Sequence, residues 1–342
     1  MNHPSASTSS TSAAATASKL RIAITRRVPT PTGAAQTSPD GLLVEVIPGE
    51  GKRPREEVLR FIRGSSSVVT MFDDRVDAEF LDAAGPSLRG ICNFAVGVDN
   101  IDLALCASRG IGVSNTPDAV TEGTANIALG LLLSVARRIG EGDRFVRAGR
   151  FEREGNGFPA GWLGMDLAGR TLLIVGAGRI GKAVAQRCLA LGMRIIYAAR
   201  TRHIDFELAP LCAERVELDD GLRRADVVSL HTPLTSQTKH LIDERRLRLM
   251  KPQAILINTA RGPVIDESAL VKVLREGHLF GAGLDVFELE PKVHDGLLSL
   301  ENVALTPHIG SAERRWRWLM TEMVIDNASR LAQGLPASNP VV

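Results

Sequence analysis

From Leu20 onward, short apolar runs alternate with amphipathic ones. "LRIAITR", "LLVEVI", "SSVVTMF" and "LRGICNFA" read as strands, and "REEVLRFI", "DAEFLDAAG" and "DLALCASRG" as the helices among them. A second series opens at "RTLLIVGAG" and continues through "RIIYAAR", "DVVSLH", "AILINTA", "GAGLDV" and "NVALTPH". Strands that alternate with helices predict a parallel sheet covered on both faces. Two such series predict an α/β chain of two doubly wound parallel-sheet domains, Rossmann-like or flavodoxin-like, with a cleft between them.

Between the series lies "DAVTEGTANIALGLLLSVARRI". Ala128, Leu131, Leu132 and Val135 fall at i, i+3, i+4 and i+7, so one helical face is apolar. Ile127 and Leu133 widen that stripe most of the way round, so this helix is expected to be covered on several sides, by both domains or by a second subunit. Arg137 and Arg138 at its end are expected to sit at the negative pole of the helix dipole.

Composition narrows the function classes. The 342 residues suffice for a large core and two domains. Lys and Arg number 41 against 39 Asp and Glu, with no block of one sign, so there is no electrostatic footprint for nucleic acid or an anionic membrane. The longest apolar stretch, Ala125–Ala136, is 12 residues and too short to span a bilayer. Cys92, Cys106, Cys188 and Cys212 show no C-x-x-C spacing; each is expected to pack as a small apolar residue in a reducing, cytoplasmic compartment, and no metal ligand set is read. Residues 1–19 are rich in Ser, Thr and Ala and lack the features of a secretory or mitochondrial leader. They are expected to form a disordered tail, with a short plastid-type leader as the alternative.

The chemistry begins at "LLIVGAGRIG", a strand followed by Gly176, Gly178 and Gly181 in G-x-G-x-x-G spacing, with "KAVAQRCLALG" continuing as a helix. The spacing alone is weak, and "GAGLDV" at 281 begins identically but has Val286 where the third glycine belongs. The strand before and the helix after make the first copy a dinucleotide loop. Gly176 makes the turn, Gly178 admits pyrophosphate, and Gly181 lets the helix sit on the strand with its positive end toward phosphate. Ala199 stands 18 residues beyond Gly181, where an NAD site places a carboxylate for the ribose. A carboxylate there would repel a 2′-phosphate; alanine does not, and Arg200 and Arg202 in "AARTR" can bond one. NADP(H) is therefore the expected cofactor, with NAD(H) accepted as the alternative.

Three polar residues follow three strands near the end of the second series: Arg261, Glu290 and His308. Strand ends of one parallel sheet converge on one crevice. The trio suits reduction of a 2-keto acid: Arg261 holds the substrate carboxylate and polarises the carbonyl, and His308 donates a proton to the forming alkoxide. Glu290 hydrogen-bonds the imidazole and favours its protonated form. Taken singly, each also has a structural reading: an ion pair for Arg261, a helix cap for Glu290, a core hydrogen bond for His308.

These stretches carry a resemblance. "FAVGVDNID", "NTPDAVTEGTANIALGLLL", "GAGRIG", "HTPLTSQTKHLID", "INTARGPVIDESAL", "GLDVFELEP" and "LTPHIGSA", in that order, resemble the D-isomer-specific 2-hydroxyacid dehydrogenases from about Leu20 to the C-terminus. The resemblance implies Arg261, Glu290 and His308 as the catalytic set and Asp285 at the nicotinamide carboxamide, with Thr124 nearby. It implies Met71 and the backbone of Val96 and Gly97 at the substrate. Arg179, Ile180, Thr201, Thr232, Pro233, Thr259, Ala260 and Gly310 are implied as further cofactor contacts. It implies a substrate domain of residues 20–118 with 309–342, a dinucleotide-binding domain of 119–308, and homodimers built on the long helix.

Within the family, "YAARTR" and "PHIGSAERR" are most similar to the glyoxylate/hydroxypyruvate reductases. Formate dehydrogenases normally carry Gln in place of Glu290, and phosphoglycerate dehydrogenases carry a regulatory domain beyond the equivalent of Val342. One departure is the arm before the cofactor domain, where that group often has tryptophans and this chain has Phe151, Phe158 and Trp162. The alternatives are another keto acid of the phenylpyruvate, pyruvate or phosphoglycerate type, or a non-catalytic dinucleotide-sensing corepressor of the same fold.

Overall fold

In the computed structural model, residues 20–29, 42–155 and 162–342 are described. The expected N-terminal tail and Phe158 lie outside them. Contacts divide the chain into two units: Met1–Asn93 with Asp102–Ser114 and Val324–Val342, and Phe94–Ile101 with Asn115–Met323.

The first unit is built on a parallel sheet of β1 (Arg21–Ile24), β2 (Leu43–Val46), β3 (Ser67–Thr70), β4 (Gly90–Asn93) and β5 (Gly112–Ser114), in the order β2-β1-β3-β4-β5. Every residue of β3 and β4 is buried, as expected for strands covered on both faces. Helices α1 (Arg55–Phe61), α2 (Ala78–Ala84) and α3 (Leu103–Ser108) alternate with the strands. Asp77 caps α2 by accepting from Phe80 N–H, and Asp102 caps α3 by accepting from Leu105 N–H. The chain end returns here: Ser67 Oγ donates to Ala328 O, and Val113 N–H to Val342 O, each at 2.8 Å.

The second unit carries seven parallel strands: β6 (Thr171–Val175), β7 (Arg194–Ala198), β8 (Glu214–Arg215), β9 (Val227–Leu230), β10 (Ile255–Asn258), β11 (Gly281–Leu284) and β12 (Val303–Leu305). Their order is β12-β11-β10-β9-β6-β7-β8. This is the 3-2-1-4-5-6 order of dinucleotide-binding sheets with one further edge strand, and the order reverses between β6 and β9. The helices are α4 (Thr121–Ala136), α5 (Ile139–Arg147), α6 (Arg150–Glu154), α7 (Arg179–Ala190), α8 (Ile204–Glu207), α9 (Leu218–Arg224), α10 (Glu244–Leu249), α11 (Glu267–Arg275), α12 (Asp295–Leu298) and α13 (Arg314–Ala332).

Period-2 alternation divides the strand residues between two cores. Leu172 and Ile174 of β6 join α4 and α7 residues such as Leu131, Leu132 and Val184. Leu173 and Val175 join α9, α10 and α11 residues such as Leu222, Leu247 and Leu270. On α4, Ala128, Leu131, Leu132 and Val135 are buried as the spacing predicts, while Ile127 and Leu133 are half-buried against the same core. Of the two arginines after α4, Arg137 is the C-cap and Arg138 donates its N–H to Val135 O at 3.1 Å. Arg138 adopts a left-handed backbone (φ 54°) that starts α5, and its guanidinium pairs with Glu141 at 2.7 Å.

The chain returns to the first unit between Met323 and Val324, inside α13. Ile309 and Gly310 donate their N–H groups to the Asp285 carboxylate, and Arg317 stacks on the Phe94 ring at 5.6 Å, so this stretch packs with the second unit. Cys92, Cys106 and Cys188 are buried, and burial pushes the Cys92 and Cys188 thiols up to about 12. Cys212 is exposed in the loop before β8, contrary to the expectation that all four pack inside.

The turn after β6 depends on glycine. Gly176 has φ +100°, and a Cβ there would stand 2.7 Å from the carbonyl carbon of His231 at the end of β9. Gly176→Ala is expected to lower unfolding stability by about 1–3 kcal/mol through backbone strain and this clash. Chemical denaturation of the two proteins is the measurement, and an unchanged midpoint would show that the turn relaxes without cost.

Candidate active site

The glycine loop forms the front of the crevice. A Cβ on Gly181 would lie 2.4 Å from Gly176 O and 2.9 Å from Ile174, so the start of α7 rests directly on β6. A Cβ on Gly178 would meet nothing within 4 Å. Protein packing therefore explains Gly176 and Gly181 but leaves Gly178 to something outside the chain. Gly178 is also the N-cap of α7 and supplies no capping side chain, which leaves the positive helix end available to an anion. Arg179 pairs with Asp118 at 3.3 Å, and Ile180 packs half-buried against the core.

Beside the loop, the ends of β9 and β10 carry buried polar atoms that lack partners among the described residues. His231 Nδ1, Thr232 Oγ1 and Thr259 Oγ1 are three of the seven such side-chain atoms among the described residues. Buried polar groups are normally satisfied, so a cluster of orphans at one sheet edge fits a polar ligand laid across it. His231 Nε2 lies 2.9 Å from Ser229 Oγ, and burial pushes its pKa down to about 3, so the ring is neutral. Pro233 O accepts from Thr238 Oγ1 at 2.6 Å, and Ala260 N–H donates to Asn258 Oδ1 at 3.0 Å, which fixes both loop backbones. Beyond β7, Thr201 Oγ1 lies 3.3 Å from His203 Nε2. Arg202 is ion-paired with Glu207 at 2.6 Å, whereas the Arg200 guanidinium has no partner among the described residues.

The third group lies past β10, β11 and β12. His308 Nδ1 is 2.8 Å from Glu290 Oε2, and the other carboxylate oxygen, Oε1, accepts from Phe287 N–H at 2.9 Å. A Cβ on Gly262 would lie 1.9 Å from the Phe287 carbonyl carbon, so the turn that follows Arg261 presses onto the loop leading to Glu290. Arg261 itself reaches back to the Phe94–Ile101 segment. Its Nε donates to Asp99 Oδ1 at 3.0 Å and its Nη1 to Ala260 O at 2.8 Å. A Cβ on Gly97 would stand 1.9 Å from Arg261 Nη2, so the guanidinium lies against the Gly97 backbone. The structure thus brings Arg261 to Gly97 and His308 to Glu290.

Asp285 organises the His308 turn. Its carboxylate accepts from Thr306 Oγ1 at 2.6 Å and from Ile309 and Gly310 N–H at 2.9 Å each, and its carbonyl accepts from His308 N–H at 2.8 Å. Burial pushes this carboxyl up against the lowering effect of its three donors. A Cβ on Gly310 would lie 3.0 Å from Thr124 Oγ1 and 3.2 Å from Asp285 Oδ2, so Thr124, Asp285 and Gly310 gather at one point. Two residues the sequence reading left without roles belong here. Asp99 holds Arg261, and Asn115 Nδ2 donates to Val96 O at 2.7 Å. Both sit inside quoted motifs, which was the available signal. Met71 belongs to the first unit, where its N–H donates to Asp74 Oδ2 at 2.8 Å.

Residues 129–310 match the model of the D-isomer specific 2-hydroxyacid dehydrogenase NAD-binding domain. The chain belongs to the D-isomer specific 2-hydroxyacid dehydrogenases. It is an NAD(P)-dependent oxidoreductase of that family. The glyoxylate reductase of Thermococcus onnurineus is 47% identical over 317 residues, which cover 92% of this chain and 94% of that one. A solved protein of Thermus thermophilus is 44% identical with a TM-score of 0.84, covering 94% of this chain and all of that chain. The NADPH-dependent glyoxylate/hydroxypyruvate reductase of Sinorhizobium meliloti, solved with NADP and malonate, is 34% identical with a TM-score of 0.81 and covers 95% and 97%. Among the described residues of this dehydrogenase, no helix is long and apolar enough to cross a membrane.

Proposed function

We propose that this dehydrogenase reduces glyoxylate or hydroxypyruvate to glycolate or D-glycerate, with NADPH preferred over NADH. The observation that carries the chemistry is the His308–Glu290 contact at 2.8 Å, held at the same sheet edge as an arginine seated on the Gly97 backbone. The reductase relatives support the substrate class. When bound, the reduced nicotinamide supplies the hydride. Every other task falls to the chain. Arg261 holds the substrate carboxylate with the backbone N–H groups of Val96 and Gly97 and polarises the carbonyl. His308, with Nδ1 on Glu290, gives its Nε2 proton to the forming alkoxide. Asp285 and Thr124 would hold the carboxamide, and the orphaned hydroxyls of Thr232 and Thr259 would bond the cofactor.

The cofactor preference rests on Ala199 and on Arg200, whose guanidinium is unpartnered among the described residues. NADPH is expected to exceed NADH by tenfold or more in kcat/KM, about 1.4 kcal/mol. Arg200→Ala is expected to lose most of that preference while NADH activity survives. Steady-state kinetics with both cofactors on a panel of keto acids is the test, and a wild type that prefers NADH would overturn the reading. A homodimer is part of the proposal. Ile139, Val146, Phe151, Leu163 and Leu298 are large apolar side chains at least half exposed on the second unit, which suits burial against a second copy.

A further inference from the structure

The two arginines beyond β7 are not equivalent. The guanidinium of Arg200 is unpartnered among the described residues, whereas Arg202 presents both Nε and Nη2 to Glu207 Oε2, each at 2.6 Å. Glu207, the last residue of α8, is fixed from behind. The hydroxyl of buried Tyr197 donates to Glu207 Oε1 at 2.8 Å and accepts from His203 N–H at 3.0 Å. The carboxylate is therefore held independently of Arg202. The exposures agree, since the Glu207 side chain is 20% exposed and that of Arg202 is 71% exposed. Arg202 and the tyrosine hydroxyl together hold the Glu207 carboxyl below its usual range, so it is ionised at neutral pH. The neighbouring cations are also engaged. Lys182 pairs with Asp205 at 2.9 Å, and Arg215 donates to the carbonyls of Ala199 and Arg200 at 3.0 and 3.1 Å.

We propose that Glu207 holds Arg202 back from the cofactor's 2′-phosphate, so that Arg200 carries most of the NADPH preference and Glu207 sets its upper limit. The proposal rests on the reading that this loop faces the 2′-phosphate. A doubly charged phosphate drawn to Arg202 meets a fixed carboxylate already on the same guanidinium edge, and the attraction of the one offsets the repulsion of the other. Exposed ion pairs are weak, so the limit that Glu207 imposes amounts to a few-fold rather than orders of magnitude. If Glu207 instead aligned Arg202 for the phosphate, its loss would weaken binding, so the two roles differ in sign.

The test measures dissociation constants of NADP+ and NAD+ by titration calorimetry on the full chain. Glu207→Gln keeps the bond from Tyr197 and removes only the charge. It is expected to bind NADP+ roughly three- to fivefold tighter with NAD+ affinity unchanged. Arg202→Ala is expected to cost more NADP+ affinity in the E207Q background than in the wild type, because only there is the arginine released. An E207Q protein that binds NADP+ no tighter, or that tightens on both dinucleotides alike, overturns the role of Glu207. Arg200→Ala separates the two failures. If it weakens NADP+ while E207Q gains nothing, only the Glu207 proposal falls; if it leaves NADP+ affinity unchanged, the 2′-phosphate reading falls and takes the Glu207 proposal with it.

Discussion

His308→Ala is expected to lower kcat by roughly two to four orders of magnitude, the range for loss of a general acid, with dinucleotide affinity near that of the wild type. The geometry makes this a clean substitution. The turn that carries His308 is held by backbone groups: His308 N–H bonds Asp285 O, and Ile309 and Gly310 bond the Asp285 carboxylate. His308 has φ 53°, a left-handed conformation that alanine also resists, so some loss of stability accompanies the loss of rate. Thermal unfolding measured beside the kinetics separates the two, since a modest fall in Tm cannot remove a hundredfold or more of turnover at a temperature where the variant is folded. A folded variant that retained more than a tenth of wild-type kcat would show that the proton comes from elsewhere. Cofactor binding is the second control. The proposed dinucleotide site is the glycine loop with the ends of β9 and β10, so a large loss of dinucleotide affinity would mean that the site had collapsed.

Much of this site was legible because strand ends are easy to find in a buried parallel sheet. β6 is a continuous apolar run, and β9 and β10 are apolar but for Ser229 and Asn258, so polar residues in the loops past the strands of this sheet fall at its C-terminal edge. Arg261, Glu290 and His308 lie in the loops after β10, β11 and β12 and could be assigned to one sheet edge on that ground. What sequence could not supply was orientation. Nothing in "GLDVFELEP" says that Glu290, rather than Glu288, turns to the imidazole; the structure gives Glu288 to His240 at 2.6 Å and Glu290 to His308. Nor does "AARTR" show that one arginine is free and the other engaged, because the engaging acid comes from the far end of a four-residue helix. β8 was missed for a different reason. Its two residues, Glu214 and Arg215, are exposed on an edge and carry no apolar signal, so only pairing with β7 defines them. The return of the chain inside α13 was equally invisible, since one uninterrupted helix serves both units and its sequence has no break at Met323.

Glu290→Gln is expected to lower kcat for reduction by roughly one to two orders of magnitude, with keto-acid KM and dinucleotide affinity near those of the wild type. The carboxylate uses its two oxygens separately, Oε1 for Phe287 N–H and Oε2 for His308 Nδ1. Glutamine has one carbonyl oxygen and one amide. If the oxygen stays on Phe287 N–H, the amide N–H group faces Nδ1, and that arrangement requires Nδ1 to be unprotonated. If the amide flips, Phe287 N–H loses its acceptor. In both cases the carboxylate that accepts from His308 Nδ1 is gone, so the ring that gives the proton is no longer held in place. A Glu290 that served only to hold Phe287 N–H would lower Tm and leave kcat of the folded protein near that of the wild type. Steady-state kinetics beside thermal unfolding decide between these outcomes. A folded E290Q protein with more than half of wild-type kcat would leave Glu290 as a loop anchor and His308 to act without it.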